Sequence, residues 1–487
     1  MKKNSKKDKL NGKTTSRRNF IKDSTLATAG VMIVPRYVLG GKGYVAPSDK
    51  LNIAGIGVGG RGKDDLAGVY NKGAENIVAL CDVDETRAAA TFKAYKKAKR
   101  YKDFRVMLEQ QKDIDAVVIA TPDNTHAVAA MAAMQLGKHV YVEKPLAHDI
   151  YEARVMTEAA RKYNVVTQMG NQGSSWEGTF QVMEWMEAGI IGDVDRVHCW
   201  TNRPIWPQGI ATPKEKVKVP NTLDWDLWLG PAKWRDYNPA YLPFKWRGWW
   251  DFGTGALGDM ACHIIDPAFR ALKLGYPTAV EASVGLVYVS DFVEGDFPDS
   301  CPPSSKIHFD YPARDGMPPV KLIWYDGGIM PERPEELGAD EQMGDWNGGL
   351  LFEGTKGKIM TDCYGANPRL LPTSSMQYFK QPEKSLKRVP EGHHQNWVKA
   401  CKGEVKAVSN FDIAGPLTEM ILIGNLAIRS YLHKELKPGK KPGDWAPWQY
   451  PGRKKLLWDS NNMKVTNFDQ ANQFVKRDYR DGWSLGV

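Results

Sequence analysis

The pattern of hydrophobic and polar positions changes at about residue 170. Before that point, short runs of β-branched and apolar residues alternate with stretches of helical periodicity, such as residues 85–99 and 127–136. Buried runs separated by helices are typical of a doubly wound parallel sheet, whose strands are covered on both faces. The five predicted strands are Leu51–Ile56, Ile77–Leu80, Ala116–Ala120, His139–Val142 and Val165–Gln168.

Beyond residue 170, apolar and polar residues alternate over longer runs, and Pro-, Gly- and Trp-rich loops separate these runs. Alternation of period two favours a mostly antiparallel, open-faced sheet with helices on one side. The predicted strands are Val194–Thr201, Val280–Val289, Lys306–Asp310 and Val320–Tyr325. We expect an α/β protein in which residues 47–170 form a parallel-sheet domain and residues 171–487 an α+β domain.

The N-terminal segment carries an export pattern. Residues 16–22 read Ser-Arg-Arg-Asn-Phe-Ile-Lys, and a weakly apolar stretch follows at residues 24–34. This layout indicates a bacterial twin-arginine leader within residues 1–46, and the stretch is shorter than the roughly 20 residues that span a bilayer. We expect a periplasmic or extracellular product without a stable membrane anchor, carried by the twin-arginine export machinery as a folded protein with a tightly held cofactor. A basic tail without a targeting role is the alternative.

The excess of positive charge belongs to the same segment. Residues 1–46 hold eight lysines, three arginines and two aspartates, a net charge of +9 that equals the net charge of the whole chain. Residues 47–487 are therefore neutral overall, and nothing in their charge supports a nucleic-acid partner. The six cysteines are scattered without a Cys-x-x-Cys pair, so the sequence predicts no metal site.

A glycine-rich loop follows the first predicted strand. Gly55, Gly57 and Gly60 fit the pattern G-x-G-x-x-G, and Asp82 ends the second strand 22 residues after Gly60. In a dinucleotide-binding fold, such glycines allow a tight turn and close approach to a pyrophosphate, and the acidic residue accepts from the adenosine ribose. We therefore expect a Rossmann domain at residues 47–170 that binds NAD in preference to NADP. The alternative is a glycine loop in an α/β protein that binds no nucleotide.

Three further motifs make the pattern specific. Residues 119–126 read Ile-Ala-Thr-Pro-Asp-Asn-Thr-His, residues 143–145 read Glu-Lys-Pro, and Asp259 and His263 lie in an Asp-x-x-x-His segment within residues 255–266. In this order the chain resembles the Gfo/Idh/MocA oxidoreductases, named for glucose–fructose oxidoreductase and inositol dehydrogenase, from about residue 50 onward. Ala261 departs from the glycine that many members carry there. The resemblance implies a homo-oligomer that uses the open sheet face.

The resemblance also extends the cofactor site. It implies a cis peptide before Pro145 and cofactor contacts near the ends of the predicted strands. Besides the glycines and Asp82, the predicted cofactor residues are Thr121, Pro122, Asn124, His126, Glu143, Lys144, Asn171 and Gln172.

The candidate catalytic residues are Lys144, Asp259 and His263. Lys144 follows a parallel strand, at the sheet edge where such folds bind their ligands, and can bond the reacting hydroxyl and shuttle its proton. Asp259 and His263 are four residues apart, so on a helix the carboxylate can orient the imidazole and stabilise its charged form. By resemblance, Lys144 and His263 flank the alcohol carbon. A surface lysine and a structural histidine are the alternatives.

The chain has 17 tryptophans, and eight of them fall between residues 200 and 250. Indole faces stack on the C–H faces of sugars, so Trp206 and Trp249 are the first candidates for a sugar platform, with Arg203 as a partner for hydroxyls. Core packing explains most of the tryptophans equally well.

The leading functional hypothesis is an NAD-dependent oxidoreductase that acts on a secondary hydroxyl of a sugar, cyclitol or glycoside. The second hypothesis is a glycosidase or lyase that uses NAD without net turnover, by transient oxidation, elimination and reduction. The third is a non-catalytic sugar-binding protein that retains the fold.

Overall fold

The computed structural model describes residues 49–487, so the predicted leader lies outside the described residues and stays a prediction. Residues 52–169 are called the parallel half below, and the residues after them the second half. The parallel half builds a six-stranded parallel sheet in the order β3-β2-β1-β4-β5-β6. This order is that of a doubly wound dinucleotide-binding fold, as predicted. The strands are β1 Asn52–Ile56, β2 Asn76–Cys81, β3 Lys99–Tyr101, β4 Ala116–Ile119, β5 His139–Val142 and β6 Thr167–Met169.

The edge strand β3 is absent from the sequence prediction. It has three residues, Lys-Arg-Tyr, and its first two side chains are exposed, so it lacks the apolar run that reveals a buried strand. The helices that cover this sheet are α1 Arg61–Tyr70, α2 Glu85–Ala94, α3 Phe104–Gln110, α4 Asp123–Gln135 and α5 Ile150–Lys162. Local chemistry starts several of them: Asp84 caps α2, and Asp149 forms a capping box with Glu152 at α5.

The second half builds a nine-stranded sheet in the order β15-β14-β13-β7-β12-β11-β8-β18-β19. Its neighbours are antiparallel except the pair β7 and β12, so the predicted open-faced sheet is confirmed as a mostly antiparallel one. The strands are β7 Val194–Thr201, β8 Ala279–Val284, β9 Tyr288–Ser290, β10 Val293–Glu294, β11 Ser305–Tyr311, β12 Val320–Tyr325, β13 Gly348–Gly354, β14 Gly357–Asp362, β15 Arg369–Leu371, β16 Glu435–Leu436, β17 Trp448–Gln449, β18 Leu456–Asp459 and β19 Lys464–Val465.

One predicted strand, Val280–Val289, is divided in the structure. Its first part belongs to β8, but the chain leaves the sheet at Gly285, and Tyr288–Ser290 pairs with β10 in a separate hairpin. The side chains of Tyr288 and Val289 are 62% and 58% exposed, so the alternation continues there without a sheet to bury it.

The helices of the second half are α6 Glu177–Glu187, α7 Trp225–Leu229, α8 Gly255–Ile264, α9 Asp266–Ala271, α10 His393–Cys401 and α11 Phe411–Leu432. Helices α8 and α11 contact the nine-stranded sheet. Helix α11 is long and apolar enough to cross a membrane by length and composition, yet 83% of its most apolar window is buried inside the protein. It packs against α5, α8 and β8, which is the setting of a core helix.

The two halves share their cores. Trp397 and Val398 of α10 pack in one buried cluster with Ile53, Leu66 and Tyr141 of the parallel-sheet half. The chain therefore returns to its first domain far beyond residue 170, although the domain boundary taken from the sequence stays a prediction.

Candidate active site

A cleft of about 730 Å³ opens at the carboxyl ends of β1, β2, β4 and β5, where open α/β sheets bind their ligands. Its walls come from both halves of the chain. From the parallel half it takes the glycine loop and the loops after the strands, and from the other half it takes Trp228, Arg247, His263 and Tyr364.

The glycine loop has the geometry of a phosphate cradle. Gly57 has a positive φ of 75°, and a Cβ there would lie 2.8 Å from the backbone of Ala120. A Cβ on Gly62 would lie 2.0 Å from the carbonyl oxygen of Gly57. Helix α1 follows directly, and no side chain caps its first turn. Its free amides fit the pyrophosphate of a dinucleotide.

Asp82 holds this loop in place. Its Oδ2 accepts from the amides of Val58 (2.8 Å) and Gly59 (3.1 Å), and its Oδ1 accepts from the amide of Asp84 (2.9 Å). Burial raises the pKa of Asp82, and the three backbone donors oppose that shift. Asp82 also lines the cleft, and its carboxylate oxygens keep lone pairs that can accept from a ribose hydroxyl. The preference for NAD over NADP that the sequence assigns to Asp82 stays a prediction.

At the other end of the cleft, Lys144 is locked to Asp259. Its Nζ donates to Asp259 Oδ1 (2.8 Å) and to the Asp259 carbonyl oxygen (2.6 Å), while Arg247 Nε donates to the same Oδ1 (2.9 Å). Burial alone would raise the pKa of Asp259, but Lys144 and Arg247 together hold it well below its usual value. Two cations therefore share one carboxylate, which leaves a net positive charge beside the cleft.

His263 differs from the sequence expectation. Among the residues that the structure describes, no hydrogen bond joins it to Asp259, because Asp259 is engaged by Lys144 and Arg247. Burial first, and the charge of Lys144 second, lower the pKa of His263 well below 6.5, so the ring is neutral rather than charged. It lines the cleft and packs edge-on against Tyr364 at 4.5 Å.

Glu143 lies beside Lys144 and is fully engaged. Its Oε1 accepts from Arg61 Nε (3.2 Å) and from Gln172 Nε2 (2.9 Å). Arg61 also pairs with buried Asp65 (3.0 Å), whose second partner is His394 (2.9 Å). This network fixes the loop that carries Lys144.

The remaining predicted cofactor residues fall into two groups. Those that line the cleft are Gly57, Asp82, Thr121, Pro122, Glu143, Lys144 and Gln172. Those outside the lining are Gly55, Gly60, Asn124, His126 and Asn171. The ring nitrogens of His126 contact the carbonyl oxygens of Pro145 (2.8 Å) and Thr121 (2.9 Å), so His126 braces two loops. The expected cis peptide between Lys144 and Pro145 is present.

Asn124 and Asn171 serve the scaffold. Asn124 donates to the carbonyl oxygen of Leu229 (2.9 Å), and Asn171 accepts from Ser409 Oγ (2.6 Å) and donates to the carbonyl oxygen of Cys262 (3.3 Å). Both are buried and make these internal bonds, and the cofactor contacts predicted for them stay a prediction.

The proposed sugar platform is not formed by the predicted residues. Trp249 is 1% exposed, donates to the carbonyl oxygen of Ala240 (3.0 Å) and belongs to an aromatic core cluster. Trp206 is also buried, and Arg203 bonds Asn347 outside the cleft lining. Trp206 and Trp249 are buried outside the cleft lining, which agrees with the core-packing alternative for these two residues.

Sequence reasoning missed several lining residues. Arg247 carried a signal, since it lies in the run Trp246-Arg247-Gly248-Trp249-Trp250, just before the Asp-x-x-x-His segment. The others are spread along the chain without a local motif: Trp176, Trp228, Phe244, Tyr364 and Trp483. In the part of the chain that the structure describes, no group of His, Cys, Asp and Glu side chains could hold a metal ion.

Comparison with known proteins gives the family. Residues 51–171 match the model described as oxidoreductase family, NAD-binding Rossmann fold, and residues 193–285 match the model of the same family's C-terminal alpha/beta domain. An uncharacterised oxidoreductase of Streptococcus pneumoniae is 33% identical over 28% of this chain and 36% of its own length. Inositol 2-dehydrogenase of Salmonella typhimurium is 33% identical over 29% of this chain and 43% of its own. A glycosyl hydrolase family 109 protein of Shewanella pealeana is 27% identical over 37% of this chain and 44% of its own. The chain thus matches less than half the length of these relatives.

Solved structures share the fold at low identity. The WlbA dehydrogenase of Bordetella pertussis, in complex with NADH and UDP-GlcNAcA, is 17% identical with a TM-score of 0.54, over 78% of this chain and 96% of that one. GenD2 from gentamicin A biosynthesis, in complex with NAD, is 17% identical with a TM-score of 0.51, over 80% and 95%. The chain carries both domains of the Gfo/Idh/MocA oxidoreductase family, its NAD-binding Rossmann domain at residues 51–171 and its C-terminal alpha/beta domain at residues 193–285.

Proposed function

We propose that the protein is an NAD-dependent oxidoreductase that oxidises a secondary hydroxyl of a sugar, cyclitol or glycoside, with its cofactor tightly held. One observation carries the proposal: a single cleft has a dinucleotide-binding loop at one end and the Lys144–Asp259–Arg247 cluster with neutral His263 at the other. Relatives named inositol 2-dehydrogenase and levoglucosan dehydrogenase support the substrate class.

The residues divide the chemistry between charge and proton transfer. When NAD is bound, its nicotinamide ring supplies the hydride acceptor. The Lys144 ammonium donates to the substrate hydroxyl oxygen, and the positive charge that it shares with Arg247 stabilises the alkoxide that develops there. The neutral ring of His263 accepts the hydroxyl proton. Asp259 positions Lys144 and Arg247 and keeps the two cations together.

This division predicts the pH dependence of the reaction. Because burial and the charge of Lys144 lower the pKa of His263, the ring stays a base well below pH 6.5, and activity should fall on the acid side only well below that pH. The measurement is a profile of kcat against pH, with His263→Gln as the matched variant. An acid limb centred at or above pH 6.5 in the wild type would contradict a neutral buried His263.

The oxidation–elimination route is the second candidate, and His263 with Tyr364 favours it. Oxidation of a ring hydroxyl to a ketone acidifies the neighbouring C–H, a base removes that proton, and the aglycone leaves. His263 can act as that base, and Tyr364, whose pKa burial raises to about 12, stays a proton donor. The family 109 relative supports this route.

One assay separates the two candidates. The purified protein is given glucose or myo-inositol with NAD, and separately p-nitrophenyl glycosides without NAD. An oxidoreductase accumulates reduced nicotinamide with the free polyol and releases no nitrophenol. Nitrophenol release without added NAD makes the elimination route correct, and the absence of reaction in both arms contradicts both candidates.

A further inference from the structure

Residues 475–487 return to the parallel half of the chain and form part of the wall of the cleft. They contain no helix or strand, yet Trp483 lines the cleft, and its ring lies 6.0 Å from Phe104, a lining residue that follows strand β3, the neighbour of β2 in the sheet. The position of Asp82 after β2 assigns this end to the adenosine half of a dinucleotide. An aromatic ring therefore stands in a mostly polar wall at the place where an adenine would lie.

Buried ionic contacts anchor the start of this segment. Arg477 Nη2 donates to Glu152 Oε1 (2.7 Å) and to the carbonyl oxygen of Asn124 (2.6 Å), and the hydroxyl of Tyr479 donates to the same Oε1 (2.6 Å). Glu152 is fully buried, so pulling Arg477 away would leave a buried charge without its partner. Arg480 adds bonds to the carbonyl oxygen of Gly230 (3.1 and 3.0 Å). This part of the segment is fixed to helix α5 and to the residue that follows α7.

The tip around Trp483 is held by weaker contacts. The Arg105 guanidinium lies 4.3 Å from the indole centroid, and Phe104 lies at 6.0 Å. Arg105 Nη1 also donates to the carbonyl oxygen of Gly482 at 3.3 Å, in an exposed setting. Beyond the tip, Leu485 is buried in the main core cluster, and its carbonyl oxygen accepts from Gln135 Nε2 at 2.9 Å. Local opening therefore concerns residues 481–484, which are exposed or half-buried between these two anchors.

We propose that residues 475–487 form a strap that retains the dinucleotide, with the Trp483 indole packed against its adenosine half. The inference rests on the proposed function in one respect, because a tightly held NAD must be released slowly. Stacking of a base on an aromatic side chain changes affinity by roughly 5- to 150-fold, and a strap adds the requirement that its tip opens before release. The Arg105 guanidinium, 4.3 Å from the indole centroid, keeps the ring in place.

The test compares Trp483→Ala and Trp483→Phe with Trp445→Ala. Trp445 is 81% exposed and lies outside this cleft, so its removal controls for the loss of a surface indole. The probes are NADH, whose release rate is measured after dilution, and ADP-ribose and nicotinamide mononucleotide, whose affinities are measured by calorimetry. We expect Trp483→Ala to release NADH about tenfold faster and to weaken ADP-ribose by a similar factor. Binding of nicotinamide mononucleotide should not change, and Trp483→Phe should restore most of the retention.

Equal NADH release by wild type, Trp483→Ala and Trp445→Ala would overturn the strap. So would an equal weakening of ADP-ribose and nicotinamide mononucleotide, because that result reports a general loss of structure. The proposed function can fail separately. If the wild type retains NADH through Trp483 but oxidises no polyol, the strap stands and the proposed substrate class is wrong.

Discussion

Lys144→Met is expected to fold, to bind NAD and to lose hydride transfer by about 10²-fold or more. The methionine side chain is similar in length but cannot donate to the substrate hydroxyl or stabilise its developing negative charge. Folding survives because Asp259 keeps Arg247 as a partner at 2.9 Å. The measurement is the single-turnover rate of nicotinamide reduction, with cofactor affinity determined on the same preparation.

Lys245→Met is the matched control for this change. Lys245 is exposed and lies two residues before Arg247, so its loss removes a nearby positive charge without touching Asp259. Its rate should stay within about twofold of the wild type, since surface charges contribute little. A Lys144→Met variant with a near-normal rate would move the whole proton and charge chemistry to His263 and contradict the role given to Lys144.

Asp259→Asn should cost about 3–5 kcal/mol in the free energy of unfolding and abolish most activity. The amide leaves two cations close together in a buried place, because Lys144 and Arg247 both bond Oδ1 of the carboxylate. Lys144 then loses the acceptor that orients it. The measurements are denaturant unfolding of the cofactor-free protein and the single-turnover rate.

Asp236→Asn makes the same chemical change in an exposed ion pair with Lys216, whose side chains are 58% and 85% exposed. It should cost less than about 1 kcal/mol. If Asp259→Asn were as mild as Asp236→Asn in both stability and rate, Asp259 would not be the anion that holds this site together.

The sequence predicts a strand correctly where the strand is buried and therefore consists of an uninterrupted run of apolar residues. Strands β4 and β5 have all or nearly all residues buried, and the sequence predicts them within a residue. The sequence analysis did not predict strand β13, Gly348–Gly354, because the strand begins with two glycines and has no clear alternation of apolar and polar residues. The hairpin of β9 and β10 was misread because a period-two pattern does not tell which sheet a strand joins.

Site residues that belong to sequence motifs could be predicted, whereas the tertiary contacts between them could not. Lys144 and Asp259 were both predicted, but their contact across 115 residues was not. The spacing of Asp259 and His263 predicted an ion pair between them, but the carboxylate of Asp259 pairs with Lys144 instead. Trp249 shows the same limit, since its burial excludes it from the cleft and leaves no mark in the local sequence.

The central claim is hydride transfer to a resident nicotinamide beside Lys144 and His263, and isotope transfer tests it most directly. Purified protein receives deuterated glucose, methyl glucoside or myo-inositol without added NAD, and the co-purified cofactor is analysed by mass spectrometry. The account predicts that deuterium from a carbinol carbon appears on the nicotinamide of the bound cofactor, and that Lys144→Met abolishes this transfer while keeping the cofactor. A purified protein that converts one of these substrates while its nicotinamide stays unlabelled would contradict the account.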